Sequence, residues 1–175
     1  MFFCTTEYQK GRDMNSRCFI FWVTRWDCQV KLKFILTYFD RALTEIEEGQ
    51  TRKVTIFRSG MESIPQSVEQ LIKADCCQVM REVVVDNEGK IESYLGPENI
   101  LADFANEYIG GGAADFGNVQ EEILFLIFPE LFAAQLLCER MATHEAIAIK
   151  GIKQFSCYSG YGESLEFAGS PPSSS

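Results

Sequence analysis

Gln120, Glu121 and Glu122 stand seven residues after three consecutive glycines, Gly110, Gly111 and Gly112. A triple glycine lets the backbone come close to a ligand and turn its amides outward, which suits an anionic group such as a phosphate. Adjacent carboxylates at the head of the following apolar segment are candidate proton donors and acceptors. A phosphate cradle joined to a glutamate pair implies hydrolysis of a phosphorylated sugar. Read separately, the glycines make a flexible loop and Gln-Glu-Glu a solvated helix start, so the specificity lies in their spacing. Successive helical residues point about 100° apart, so Glu121 and Glu122 cannot face each other across a glycosidic bond. That disfavours the usual pair of opposed carboxylates and favours a scheme with one acid. A helix N-terminus favours the ionised carboxylate, whereas a like-charged neighbour and a bound diphosphate favour the protonated acid. Ligand binding is therefore expected to create the acid.

The elements that must position these groups alternate between helical and strand-like patterns, which predicts an α/β fold. Val30, Phe34, Leu36, Tyr38, Leu43 and Ile46 recur at near-helical spacing and predict a helix over Cys28 to Glu48, stopped by Gly49. Strands are expected over Arg52 to Phe57, Cys76 to Val85, Ile91-Glu92 and His144 to Ile149, with Asp86-Asn87-Glu88-Gly89 as a turn and a further strand beginning within Ser164 to Phe167. Ser67 to Lys73 reads as a short helix, Leu95-Gly96-Pro97 as a strand end, and Val119 to Phe128 as a longer helix. Pro129 suits the first position of another helix running to about Arg140. Asn99 to Asn106 reads as a buried strand leading into the glycine loop. Asp103 and Asn106 then fall at its exit, where ligand-facing residues of α/β sheets collect. Their plain alternatives are a turn or cap residue and a strand terminator.

Composition narrows the function. The 175 residues are 46% hydrophobic, enough for one domain with a real core, and the net charge is −9. No basic run of the kind that binds nucleic acid is present. An acidic protein does not attract a polyanion over long range, so such a ligand must be caught by local geometry. Seven cysteines (4, 18, 28, 76, 77, 138, 157) lack any Cys-x-x-Cys pair, and His144 is the one histidine. These features argue against a disulfide scaffold or zinc site and fit reduced thiols in the nucleus and cytoplasm. No metal or cofactor is called for. Cys18 to Val23 is too short for a membrane span between Arg17 and Arg25, and charges after Met1-Phe2-Phe3 break any signal-peptide core.

Asp103-Phe104-Ala105-Asn106, the triple glycine, seven residues and Gln120-Glu121-Glu122 closely resemble the signature of the eukaryotic poly(ADP-ribose) glycohydrolases. Gly89-Lys90-Ile91-Glu92 looks like that family's adenine-side segment, and Phe128-Pro129-Glu130-Leu131 like its Asn-Pro-Glu-Leu continuation with Phe128 replacing Asn. Tyr158-Ser159-Gly160-Tyr161-Gly162-Glu163 is similar to its tyrosine clasp, and Lys31 to Phe39 to the helix before its sheet. The resemblance implies a macrodomain-like mixed sheet flanked by helices, truncated at the C-terminal side because the family continues past the clasp to a second glycine-rich loop. It divides the chain into a lead-in with a remnant of an accessory region (1–27), a partial catalytic domain (28–167) and a disordered Ser/Pro tail (168–175).

By resemblance Glu122 is the general acid, Glu121 and Asp103 work beside it, and Asn106 orients the ribose. Gly110, Gly111, Gly112, Gln120, Tyr161, Ile91 and Glu92 are then substrate-binding residues, with Gln120 supporting the loop. The implied substrate is poly(ADP-ribose), whose ribose–ribose bonds are hydrolysed to ADP-ribose. The implied partners are poly(ADP-ribosyl)ated proteins, in the setting of the DNA damage response, with no direct nucleic-acid or membrane binding. The alternative is a truncated, inactive ADP-ribose-binding or interaction module.

Overall fold

The structure is a computed structural model, and it describes residues 29–60, 84–94 and 99–172. The lead-in over 1–27, the expected helix Ser67 to Lys73, the strand end at Leu95-Gly96-Pro97 and nearly all of the expected strand Cys76 to Val85 lie outside the described residues.

Helix α1 spans Gln29–Glu47. Gly49 ends it in the left-handed region at φ 75°, and the Gln50 amide donates back to the Glu45 carbonyl at 2.9 Å. One stripe of this helix is buried: Lys31, Phe34 and Tyr38 follow each other at turn spacing, with the first two wholly buried. Leu36, Leu43 and Ile46, which the periodicity assigned to the same core, are exposed.

Helix α2, Gln120–Ile127, forms the centre of the core, and every residue from Glu121 to Ile127 is buried. A helix buried on all sides needs apolar neighbours all round, and α2 has them. Phe34 of α1, Ile109 and Ala113 of the glycine loop, and Leu165 belong to the same cluster. Phe125 meets Phe132 edge to face at 5.4 Å, and the Phe155 amide donates to the Ile127 carbonyl at 2.9 Å, tying the later chain to the helix end. The expected single helix from Pro129 to Arg140 is instead a short 3-10 turn, Pro129–Leu131, followed by α3, Phe132–Leu137.

The strands pair in two antiparallel ribbons. Strand β1 (Thr55–Gly60) pairs with β2 (Glu145–Lys150), with Ile56 opposite Ile149 and Arg58 opposite Ile147. Strand β3 (Tyr158–Ser159) pairs with β4 (Glu166–Phe167), and the Phe167 ring packs edge to face on Phe34 at 5.1 Å. The ladder continues past β4, because Cys157 exchanges backbone hydrogen bonds with Ala168 and Gly169. The first residues of the Ser/Pro tail are therefore held in place.

Two expectations are corrected. The Asn99 to Asn106 stretch has no regular secondary structure, and Ile100 and Phe104 are 98% and 72% exposed. Ile91–Tyr94 forms a 3-10 turn instead of a strand. Among the described residues helices and two-stranded antiparallel ribbons combine, in keeping with the expected α/β class. The Asp86 turn is as expected, its carboxylate accepting from the Glu88 and Gly89 amides at 2.8 and 3.0 Å.

The core thus rests on α2. Phe125→Ala should lower the unfolding free energy by about 3–5 kcal/mol, the usual cost of emptying a fully buried aromatic position. Urea denaturation of the two chains would show it as a lower midpoint at similar slope.

Candidate active site

The glutamate pair turns into the glycine loop. Glu121 accepts from the Gly110 amide at 2.5 Å on one carboxylate oxygen and from the Asn106 amide at 2.9 Å on the other. Glu122 accepts from the Gly112 amide at 2.9 Å on Oε1 and from the Val119 amide at 3.0 Å on Oε2. The second bond is the returning arm of a capping box, in which the third helical residue satisfies the cap's own N–H. The two side chains are only 4% and 6% exposed, and amide donors on each oxygen are what makes burial of such carboxylates tolerable.

This geometry changes one expectation. The amides of Gly110 and Gly112 face the glutamates, and the Gly111 amide donates to the Tyr108 carbonyl at 3.0 Å. They do not turn outward to an anion. Close packing requires the glycines: a Cβ on Gly110 would press on the Phe125 ring and one on Gly112 on the Gly117 backbone, while Gly111 and Gly117 lie against carboxylates. A Cβ on Gly111, which sits at φ 44°, would lie 2.6 Å from a Glu122 oxygen and 2.8 Å from a Glu121 oxygen. A Cβ on Gly117 would lie 2.5 Å from the Glu122 carboxyl carbon. Gly117 was not singled out in the sequence, although it falls within the seven-residue spacer.

Asp103 lies beside the pair. Burial first, and then the charges of Glu121 and Glu122, push its carboxyl up to about 7. Its Oδ1 is buried without a hydrogen-bond partner among the described residues. Gln120 holds the segment that carries it, donating to the Ala102 carbonyl at 2.8 Å and accepting from the Phe104 amide at 3.0 Å. A side-chain amide thus satisfies two backbone groups of a stretch that has no ladder of its own.

Tyr161 is exposed over the head of α2, and its hydroxyl oxygen accepts from the Gln120 amide at 3.2 Å. Tyr158, from the same loop, donates to Glu92 at 3.0 Å while the Lys90 ammonium sits 3.9 Å from its ring centre. Burial and the bond to Glu92 raise the Tyr158 hydroxyl well above its ordinary value. Asp103, Asn106, the three glycines, Gln120, Glu121, Glu122 and Tyr161 therefore gather in one place. Ile91 and Glu92 join it through Tyr158.

Sequence reasoning missed Lys31. Its side chain is completely buried and its ammonium donates to the carbonyls of Gly112, Ala113, Asp115 and Gly117 at 3.2, 3.1, 2.5 and 2.6 Å. The available signal was its phase, since Lys31 falls in register with Phe34 and Tyr38 on the buried stripe.

Among the described residues no group of three or more His, Cys, Asp or Glu side chains is arranged to hold a metal ion, and no helix is long and apolar enough to cross a membrane. The class defined here is an α/β domain whose glycine loop closes on a buried carboxylate pair. Residues 70–173 match the family model described as Poly (ADP-ribose) glycohydrolase (PARG), Macro domain fold. The chain is 38% identical over 148 residues to poly(ADP-ribose) glycohydrolase 1 of Caenorhabditis elegans, covering 85% of this chain and 18% of that protein. It is 39% identical over 140 residues to poly(ADP-ribose) glycohydrolase 1 of Arabidopsis thaliana, covering 79% of this chain and 24% of the relative. A probable poly(ADP-ribose) glycohydrolase 2 of the same plant is 47% identical over 72 residues, covering 41% of this chain and 14% of the relative. The chain belongs to the poly(ADP-ribose) glycohydrolase family, whose fold is the macro domain. It spans 18% and 24% of the length of the first two relatives.

Asp103 gives a direct check on the site's electrostatics. Its carboxyl should titrate near pH 7 in a carbon-13 NMR experiment, not near 3.8. Because the folded chain binds this proton more tightly than the unfolded chain, the group's contribution to stability is fully present below about pH 4. It is lost as pH rises through about 7. Asp103→Asn should remove that decline from the stability profile.

Proposed function

We propose that this chain carries the acid centre of a poly(ADP-ribose) glycohydrolase and that Glu122 is the proton donor. The observation that carries the proposal is the joint burial of Glu121 and Glu122 in the glycine loop, next to a third carboxyl that titrates near neutrality. Such crowding of like charges is how a site keeps a proton available at pH 7.

In the proposed reaction, Glu122 gives its proton to the ribose 2′-oxygen that links one ADP-ribose unit to the next. The glycosidic carbon–oxygen bond breaks, its electron pair leaves with that oxygen, and an oxocarbenium-like centre forms on the sugar. Water adds to this centre and returns a proton to Glu122, so the acid is regenerated. Glu121, Asp103 and Asn106 hold the ribose hydroxyls beside the breaking bond. Before the ligand arrives the site's proton resides on Asp103, whose carboxyl is pushed up to about 7, and a diphosphate brought close draws it across to Glu122. Tyr161 offers a flat face over the opening, and Ile91 with Glu92 forms the adenine side. The likeness to relatives named as poly(ADP-ribose) glycohydrolases supports the substrate class.

The experiment is hydrolysis of labelled poly(ADP-ribose) by the parent chain and by Glu122→Gln. The parent should release ADP-ribose. The variant should lose release, by at least the hundredfold that a positioned proton donor contributes, while still binding ADP-ribose in calorimetry. A variant that keeps turning over polymer would remove Glu122 from the acid role. A parent chain that binds ADP-ribose and releases nothing would favour the binding-module reading.

A further inference from the structure

We propose that Lys31 is the positioning residue that sets where the Glu122 carboxylate sits. The catalytic half of this inference rests on the glycohydrolase reading above, whereas its geometric half does not.

An ammonium has three N–H donors, and here four carbonyls of one loop converge on it. Removing an ammonium from water is costly, so the convergence of carbonyl dipoles is a condition of its being inside at all. The reverse also holds. Carbonyls gathered within a few residues repel one another, and a positive charge at their centre lets the loop curl this tightly. Lys31 is delivered by α1, whose next buried turn is anchored by Phe34 against Phe167.

The link to Glu122 runs through two glycines. Gly112 receives Lys31 on its carbonyl and offers its amide to Glu122 Oε1 at 2.9 Å. That carbonyl also accepts from the Asp115 and Gly117 amides at 2.8 and 3.1 Å, which closes the loop on itself. Gly117 receives Lys31 on its own carbonyl and lies so close to Glu122 that no Cβ fits between them. One glycine residue therefore separates the ammonium from the Gly112 and Gly117 contacts of the carboxylate, whose other oxygen is held by the Val119 amide. If the ammonium goes, Gly112 and Gly117 lose what holds them, and Glu122 loses its position while keeping its chemistry.

Lys31→Met keeps the apolar stem and removes the charge. Its rate of ADP-ribose release should fall on the order of a hundredfold, the loss that follows small misplacement of a reacting group. ADP-ribose affinity should persist. In Lys31→Ala, added n-propylammonium should restore release with a saturable dose response, and n-propanol should not. A residue that merely fills the core would be replaced by either. Release from Lys31→Met at the parent rate would overturn the proposal.

A second measurement works on the unmodified chain, whether or not it hydrolyses polymer and whether or not the variants fold. With nitrogen-15 lysine and carbon-13 carbonyl labels, the Lys31 ammonium should exchange slowly and show couplings through hydrogen bonds to the Asp115 and Gly117 carbonyl carbons. An ammonium that exchanges like a surface lysine, without those couplings, would overturn the proposal. A parent chain that releases no ADP-ribose but shows the couplings would count against the glycohydrolase reading alone. In that case, displaced Gly112 and Val119 amide resonances in Lys31→Met would establish the positioning, and unmoved ones would refute it.

Discussion

The segment from Tyr108 to Val119 runs outside the regular backbone ladders with its glycines packed against the buried head of α2, so its amides and carbonyls must find other partners. The Gly110, Gly112 and Val119 amides go to carboxylates and four carbonyls go to an ammonium, while the Gly111, Ala113, Asp115 and Gly117 amides are met by carbonyls of the loop itself. Carboxylates of Glu121 and Glu122 collect N–H groups on one side, and the Lys31 ammonium collects C=O groups on the other. Neither half is sufficient by itself. A loop closed only on carboxylates would leave its carbonyls crowded and buried, and one closed only on lysine would leave its amides without acceptors. The candidate site is this sorting of backbone dipoles between opposite charges.

Because the two glutamates complete the loop, the pair proposed for the chemistry is also part of what holds the loop together. Glu122 caps its own helix through Val119 and also confines itself against Gly112 and Gly117. Such a residue is already held in place before any ligand arrives, which is the condition for efficient proton transfer. The same fixity explains why a glycine is needed at position 111, where two carboxylates press on the backbone. A side chain at Gly111 would meet an oxygen of each.

Helices α1 and α2 and the loop spacing were legible in the sequence because they are local. Periodicity placed α1 within a residue of its observed ends, and the Gly-Gly-Gly to Gln-Glu-Glu interval marked the site before any fold was known. What the sequence hid depends on distant partners. The direction of the glycine amides is decided by where the loop carbonyls go, and those answer to a lysine on another helix. The stretch 99–106 has the composition of a buried strand, yet Gln120 supplies the hydrogen bonds a neighbouring strand would have supplied. Leu36, Leu43 and Ile46 fit a helical period but fall off the narrow stripe that α2 and the Phe155 region cover. Periodicity cannot distinguish a residue facing the core from one a fraction of a turn away.

The two tyrosines of one short loop show how the rest of the site is coupled to this centre. Tyr161 rests on the head of α2 through the Gln120 amide, while Tyr158 reaches in another direction to Glu92 beneath the Lys90 ammonium. Between them Gly160 adopts φ 71°, and a Cβ there would collide with the Ser164 carbonyl, so the turn has a single tight form. The Gly162 amide then donates to the Asn118 carbonyl at 3.0 Å, pinning this turn to the far end of the glycine loop. The segment bearing Ile91 and Glu92 is thus tied to the head of α2 by hydrogen bonds that run through this turn.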